Sequence, residues 1–275
     1  VSSGRLAVVL SSGGIAGIAH LGILERLEQA RIRIHVLIGS SAGALVAGYY
    51  AALGDPLPRL IEDAAATTPL RLGAMALHLW GLPVPAGTAR DHCLHLTARL
   101  AALDQVKFDS LRGPVGALGV LAFDWRRMGP LFACTGSPQT GSISVGHVVR
   151  GSASVPLIFP PKRLEIDGRQ RWLSDGGLVR SLPIEWAFSP PLAATHALAV
   201  QLPTFRAGID RRLPARRRFL AENGDRVLVV TPRVRKLRNA LRGRRGLEEI
   251  FRAGREALDE TCLETLRRWQ EQPPR

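Results

Sequence analysis

Apolar residues along the chain come first as short unbroken runs and only later as helical stripes. Leu6-Ala7-Val8-Val9-Leu10 is closed by the turn Ser11-Ser12-Gly13-Gly14, the pattern of a strand buried on both faces. Residues 17–30 then read as a helix. His35 to Ile38 repeats the strand pattern, and Gly39-Ser40-Ser41-Ala42-Gly43 makes a second tight turn before a helix expected from about Ala42 to Leu53. Strand, turn and helix, twice over with short connections, predict a parallel sheet flanked by helices.

The middle, 57–112, reads as helical pieces broken by Pro69, Pro83 and Pro85. Within it, Leu72 to Ala89 carries no Asp, Glu, Lys or Arg and includes Met75, Leu77, Leu79 and Trp80. It suits a lid or lipid-facing surface, or an ordinary helical insertion packed on the core. Strands resume near 115–122 and 130–135, and 146–154 reads as a helix that stops at Pro156. Leu164-Glu165-Ile166 and Arg171-Trp172-Leu173 flank Asp167-Gly168, a hairpin signal, and the second strand runs into Asp175-Gly176-Gly177. Residues 196–202 and 226–231 predict the last strands, 203–224 a loop-rich stretch, and about 247–270 one closing helix. No repeat or low-complexity tract divides the chain. Residues 1–275 are therefore read as a single domain with a basic C-terminal segment, 205–275.

Composition narrows this picture. Hydrophobic residues make up 46% and charged residues 22% of the 275, enough for a sizeable core and too apolar for global disorder. Cys93, Cys134 and Cys262 are odd in number and far apart, which excludes a disulfide framework and gives no metal spacing. They suit a reducing compartment. Ile34 to Gly54 is uncharged and long enough to span a bilayer, but the Gly39–Gly43 turn falls in its middle. A cytoplasmic or membrane-peripheral protein is expected, with secretion left open if a leader preceded Val1.

The net charge is +14, and residues 205–255 hold 16 of the 37 Lys and Arg against 5 of the 23 Asp and Glu. One reading is attraction of this Arg-rich segment to an anionic membrane surface. Nucleic acid is disfavoured, because aromatics are only 5% and no stacking platform is interleaved with the cations. The other reading is compositional: only Lys107, Lys162 and Lys236 are lysines, and an Arg-rich solvated surface needs no partner.

Three pieces carry candidate chemistry. Gly39-Ser40-Ser41-Ala42-Gly43 is a G-x-S-x-G between an apolar strand and an apolar helix, the setting in which that pattern forms a nucleophile elbow. The flanking Gly39 and Gly43 leave room for a sharp bend that lifts the Ser41 hydroxyl out of the sheet. The helix behind it favours developing negative charge. The second piece is the loop Ser11 to Gly17, whose glycine amides can face an oxyanion. A dinucleotide fingerprint fails there, because Ser12 stands at its first Gly position and the second strand ends in Ile38-Gly39 rather than an acid. The third is Asp175-Gly176-Gly177 at a strand end, since an activated Ser needs a base. A Ser-Asp-His order would require His196, the only histidine after Asp175. It opens an apolar strand where structural burial is expected. His20, His35, His78, His92, His95 and His147 are read as surface or capping residues.

Together these residues resemble the patatin-like phospholipase family. The matching blocks are Leu10 to Gly17 with Ala19-His20-Leu21-Gly22, the elbow Ile38 to Gly43, and Gly151-Ser152-Ala153-Ser154-Val155-Pro156 to Pro161 leading to Leu173-Ser174-Asp175-Gly176-Gly177-Leu178 and Leu182-Pro183. Their order and spacing agree over about 1–200, while 205–275 matches weakly. The resemblance implies an α/β fold, a three-layer α/β/α sandwich around a central, mostly parallel sheet. It implies a Ser41–Asp175 dyad without histidine, with Ser41 as nucleophile, Asp175 as base and the amides of Gly13 and Gly14 as oxyanion hole. Gly17, Gly176 and Gly177 belong to the same motifs. The implied activity is hydrolysis of lipid acyl esters (phospholipids, lysophospholipids or neutral lipids) through an acyl-enzyme. No metal or cofactor is implied; some relatives use calcium for membrane recruitment, but nothing here reads as a calcium loop. Two departures stand out. Ser12 replaces the first glycine of the family's triplet, and Ala16 replaces a basic residue. With the dyad intact, activity is expected, weakened toward phospholipids; a catalytically inactive, membrane-binding form of the fold is the competing expectation.

Overall fold

The structure, a computed structural model, describes residues 4–84, 87–234 and 243–271. Eight strands form one sheet: β1 (Leu6–Leu10), β2 (Val36–Ser40), β3 (Ala117–Asp124), β4 (Gly129–Cys134), β5 (Lys162–Ile166), β6 (Arg169–Ser174), β7 (His196–Val200) and β8 (Val227–Val230). The order is β5-β6-β3-β2-β1-β7-β8, with β4 also on β3. β3, β2, β1, β7 and β8 are mutually parallel; the β3–β4, β3–β6 and β5–β6 pairs are antiparallel. This is the three-layer α/β/α arrangement with a mostly parallel sheet.

β1 is buried on both sides, and its residues divide between two cores. Leu6, Val8 and Leu10 face the larger one, where α1 (Ile18–Gln29) contributes Leu21, Leu24 and Leu27. α2 (Ala42–Ala47), α3 (Leu57–Ala66), α5 (Thr88–Asp104) and α6 (Val145–Ala153) cover the same face. Ala7 and Val9 face a thinner layer built from Leu182, Ile184, Leu192 and the rim residues Phe219 and Leu220. Small side chains dominate that second face, with Ala7, Ala117, Ala197 and Ala199 at the strand positions.

The helix expected over 42–53 is α2 followed by a wide turn over Gly48–Leu53. In the middle stretch, α4 (Pro69–Leu79) follows α3, each with a proline in its first turn, where a missing N–H costs nothing. Pro85 lies outside the described residues. Two expectations need correction. Residues 203–224 are not loop-rich: they form α7 (Phe205–Arg212), capped by the Thr204 hydroxyl accepting from the Ala207 amide, and α8 (Pro214–Glu222), started by Pro214. The closing helix is two, α9 (Gly243–Glu256) and α10 (Glu260–Glu271), because Asp259 caps the second by accepting from the Cys262 amide at 2.8 Å. No described helix is long and apolar enough to cross a membrane.

Candidate active site

The length of β3 decides where the site forms. β3 has eight residues and β2 five. One edge of β3 pairs with β4 over 119–124. The opposite edge must therefore take both β2, over 117–121, and β6, over 123–124. β2 runs parallel to β3 and β6 antiparallel, so their C-terminal ends meet head to head along that edge, near Ala122. Ser41 is the first residue after β2, and Asp175 the first after β6. Although 134 positions apart, they touch: the Ser41 hydroxyl donates to Asp175 Oδ2 at 2.5 Å.

Ser41 holds φ 55° and ψ −119°, a conformation that costs a non-glycine residue on the order of 1–3 kcal/mol. Its surroundings hold it there. The Ser41 amide donates to Ser152 Oγ at 2.9 Å, and Ser152 Oγ donates to the Leu121 carbonyl at 2.6 Å. A methyl group on Gly43 would overlap the Leu10 carbonyl oxygen, which explains the second glycine of G-x-S-x-G. Gly39 packs against the backbone of Gly43, Gly17 against Ala42, and Gly176 against the Leu121 carbonyl. Asp175 is fixed by its amide, which donates to the Ser154 carbonyl at 2.9 Å, and by Oδ1, which accepts from the Gly177 amide at 2.7 Å. Ser41 and Asp175 are only 5% and 7% exposed.

The loop after β1 is pinned by its two serines. Ser11 Oγ accepts from the Leu202 amide at 2.8 Å. The Ser12 amide donates to the Ser181 carbonyl at 2.7 Å, and the Ser12 and Ser181 hydroxyls are 2.8 Å apart. The amides of Gly13 and Gly14 have no acceptor among the described residues. Gly14, at φ 56°, lines the same cavity as Ser41. Ser12 has an ordinary negative φ, so the loss of a glycine there strains nothing. Ala16 lies in an apolar cluster with Ala19, Leu202, Leu247 and Ile250.

His20 is neither a surface nor a capping residue. It is fully buried, and its Nε2–H donates to the Ser11 carbonyl at 2.8 Å, behind the loop. Burial pulls its imidazole from 6.5 down to about 4, against the opposing effect of that hydrogen bond. His196 pairs with Leu6 at the start of β1, whereas Ser41 lies past the other end of the sheet. Four strand residues, about 13 Å, separate the two levels. His196 stacks on Trp269 at 4.8 Å, so its role is structural packing. His35 accepts from the Leu6 amide, His95 contacts Asp63, and His147 lies 3.7 Å from Asp104; His78 is exposed, and the His92 side chain lies outside the described part. Burial raises the Cys134 and Cys262 thiols to about 11, which suits inert packing residues. The side chain of Cys93 lies outside the described part. Among the described residues no group of three or more His, Cys, Asp or Glu is placed to hold a metal.

Ser41 opens onto a cavity of about 250 Å³. Its walls come from α1, α2, α3, α4, α5 and the segment after α6, and they are almost wholly apolar. Arg99 and Asp63 are the charged side chains on it. Arg99 is bound to Asp55 through two hydrogen bonds of 2.6 and 3.2 Å, and its Nε lies 3.0 Å from Asp63 Oδ2. Sequence reasoning missed this cluster and Ser152. Asp55, Asp63 and Arg99 were legible only as isolated charges in apolar helical surroundings; Ser152 lay inside a recognised block with nothing local to mark its role.

Part of the basic segment is spent internally. Arg216 is buried against Glu185, Arg255 pairs with Glu25, and Arg218 and Arg244 pair with Glu222 and Glu248 one turn on. Residues 235–242, within the Arg233–Arg245 run, lie outside the described residues.

Comparison with known proteins brings these features under one family. The family model described as patatin-like phospholipase matches residues 8–188. Over 218 residues the chain is 31% identical to an uncharacterized NTE family protein of Mycobacterium tuberculosis, covering 76% of this chain and 52% of that protein. The chain thus spans about half the length of the curated relatives it matches. A 53-residue stretch, 19% of this chain and 4% of the relative, is 42% identical to lysophospholipase nte1 of Emericella nidulans. Among solved structures, full-length ExoU in complex with SpcU from Pseudomonas aeruginosa aligns over 98% of this chain and 53% of its own, with TM-score 0.49 and 16% identity. The family match takes in more than half of the chain, including both glycine-rich turns, Ser41 and Asp175, and on that ground the chain belongs to the patatin-like phospholipase family.

Proposed function

We propose that the chain is a single-domain lipid acyl hydrolase in which Ser41 is the nucleophile and Asp175 the general base. The observation that carries this reading is the 2.5 Å hydrogen bond from Ser41 Oγ to Asp175 Oδ2 at the mouth of an apolar cavity. The contact is direct, so no imidazole lies between them. Asp175 takes the Ser41 proton as Oγ attacks the ester carbonyl carbon. The carbonyl oxygen becomes an oxyanion, and the unengaged amides of Gly13 and Gly14 stabilise it. Collapse breaks the bond to the leaving alcohol, which departs with the proton from Asp175 and leaves an acyl-Ser41 ester. Asp175 then deprotonates a water, the water attacks the acyl carbon, and Ser41 regains its proton as the fatty acid leaves. Ser41 in its bent conformation acts as a nucleophile elbow, and the preformed bend removes a reorganisation step from the reaction. The cavity receives an acyl chain, which makes phospholipids, lysophospholipids and neutral lipid esters the candidate substrates.

The test is release of p-nitrophenol from acyl esters and of fatty acid from phospholipid vesicles, with Ser41→Ala and Asp175→Asn beside the wild type. Fluorophosphonate labelling mapped to Ser41 by peptide analysis is expected. Equal activity in all three proteins would refute the assignment. Absent labelling together with salt-sensitive binding to anionic vesicles would favour a non-catalytic lipid-binding member of the family. His196→Ala is expected to retain turnover, and its loss would restore a Ser-Asp-His reading.

A further inference from the structure

Ser41 and Tyr49 line the same cavity, eight residues apart in the chain. Ala42, Leu45, Val46 and Tyr49 all line it, and their spacing puts them on one helical face. That face of α2 and the turn that continues it therefore form one wall of the cavity. Ser41 to Tyr49 is eight residues, about 12 Å at the helical rise. Along the way the opposing walls are Leu60, Leu72, Met75, Leu96 and Leu100. Those five side chains offer no partner to a polar head group, whereas an alkyl chain gains from every methylene buried among them.

The end differs from the path. The Arg99 guanidinium lies over the Tyr49 ring, 5.1 Å from its centroid. Asp55 and Asp63 hold that guanidinium from two sides, and Arg99 and Asp55 are both buried. Moving Arg99 aside would strand the buried Asp55 carboxylate without its partner, a costly change. A terminal methyl offers no compensation for it. The apolar path thus stops against a wall that an acyl chain cannot push back.

We propose that Tyr49, backed by the Asp55–Arg99–Asp63 cluster, sets the length of acyl chain that this protein accepts. An extended chain advances about 1.25 Å per carbon, given C–C bonds of about 1.5 Å in a zigzag. With the ester carbon at Ser41, the path holds roughly eight to ten carbons. Medium-chain acyl groups are therefore the preferred donors. Longer chains either leave their tails outside or draw the ester away from Ser41. This inference rests on the acyl-hydrolase reading of Ser41, and it adds the substrate class within that reading.

The test compares kcat/KM for p-nitrophenyl butyrate, octanoate, decanoate, myristate and palmitate. The wild type is expected to peak at octanoate or decanoate and to fall by about tenfold or more at palmitate, the scale of a few misplaced methylenes. Val46→Phe narrows the path partway along and should move the peak toward butyrate. Tyr49→Ala opens the end and should raise the palmitate-to-octanoate ratio by about tenfold. Circular dichroism and thermal melting show whether each variant is folded. Calorimetric titration of Ser41→Ala protein with octanoate, decanoate and palmitate reads the same preference without catalysis. A wild type that hydrolyses octanoate and palmitate equally well overturns the length limit and leaves the Ser41–Asp175 assignment standing. So does a folded Val46→Phe variant with an unshifted profile. An inactive wild type whose Ser41→Ala form still prefers octanoate and decanoate overturns the hydrolase reading and supports the length limit. No hydrolysis and no binding overturn both.

Discussion

The ledge that carries Ser41 and Asp175 and the helices that roof the adjoining cavity are held in place by different means. On the ledge, main-chain atoms do most of the positioning. The Leu121 carbonyl anchors Ser152, Ser152 anchors the Ser41 amide, and the Ser154 carbonyl anchors Asp175. Gly43 and Gly176 sit where a single added carbon would meet a carbonyl oxygen. In the roof, α3, α4 and α5, side chains do the positioning. Arg99 and His95 tie α5 to α3, Arg99 also binds Asp55, Arg71 of α4 donates to the Ala66 carbonyl of α3, and apolar contacts join them. The roof also exposes Leu70, Leu77, Trp80 and Leu94, among charged residues such as Arg59, Glu62 and Asp91. A scaffold fixed by its backbone tolerates little change in sequence, while one fixed by side chains can be rebuilt by substitution. The proposed reaction geometry and the proposed chain-length limit thus rest on separate parts of the molecule.

The sharpest way to break that separation is at Ser41 and Asp175, the proposed reacting pair. Asp175→Asn should lower kcat by about 10⁴-fold or more, whichever ester is used, as measured by steady-state kinetics. A loss confined to long-chain esters would mean that Asp175 belongs to the binding surface. Next comes the roof's own anchor. Arg99→Met leaves the buried Asp55 carboxylate without the guanidinium that binds it and should cost about 3–5 kcal/mol in urea unfolding. A cost below about 1 kcal/mol would show that solvent reaches the cluster and that the end of the cavity is soft.

His20 links the ledge to pH. Its folded-state pKa of about 4 lies below the 6.5 of the free side chain. Between these values the unfolded chain binds a proton that the folded chain refuses. Stability is therefore complete above about 6.5 and falls as pH drops toward 4, by on the order of 3 kcal/mol from this residue. His20→Gln should flatten that part of the stability–pH curve, and an unchanged curve would mean that His20 takes up its proton in the folded state. Ser152→Ala removes the acceptor of the Ser41 amide and should cost about 1–3 kcal/mol, with a fall in kcat and little change in KM. The smallest effect is expected at the roof margin. Leu157 is 98% exposed at φ 70°, so Leu157→Asn should stabilise by up to about 1 kcal/mol, because Asn accepts that backbone shape more readily.

What the sequence discloses follows the same division. Ser41 is legible because strand, bend and helix are adjacent in the chain, and Asp175 because it closes a hairpin strand with two glycines. The head-to-head meeting of β2 and β6 is not legible, since it depends on β3 outrunning β2 by three residues and on β4 taking the other edge. His20 sits beside Ala19 and Leu21 and gives no local sign that its ring reaches back to Ser11. α7 and α8 escape notice because Arg211-Arg212 and Arg216-Arg217-Arg218 swamp their few apolar positions. The break before α10 was available in Asp259-Glu260, a capping signal overridden by the apolar residues on either side.

Because the strands that carry Ser41 and Asp175 both pair with one edge of β3, a bodily movement of β3 that takes both strands with it leaves their spacing untouched. Slippage of either β2 or β6 along β3 alters it; the β2 junction has five residue pairs, whereas the β6 junction has two, Phe123 with Ser174 and Asp124 with Leu173. Trp125 braces it, its indole nitrogen donating to the Ser174 hydroxyl at 2.8 Å and its amide to the Trp172 carbonyl at 2.9 Å. The weaker of the two junctions that set the Ser41–Asp175 spacing is thus braced by a tryptophan that touches neither side chain's reacting atoms in the proposed mechanism.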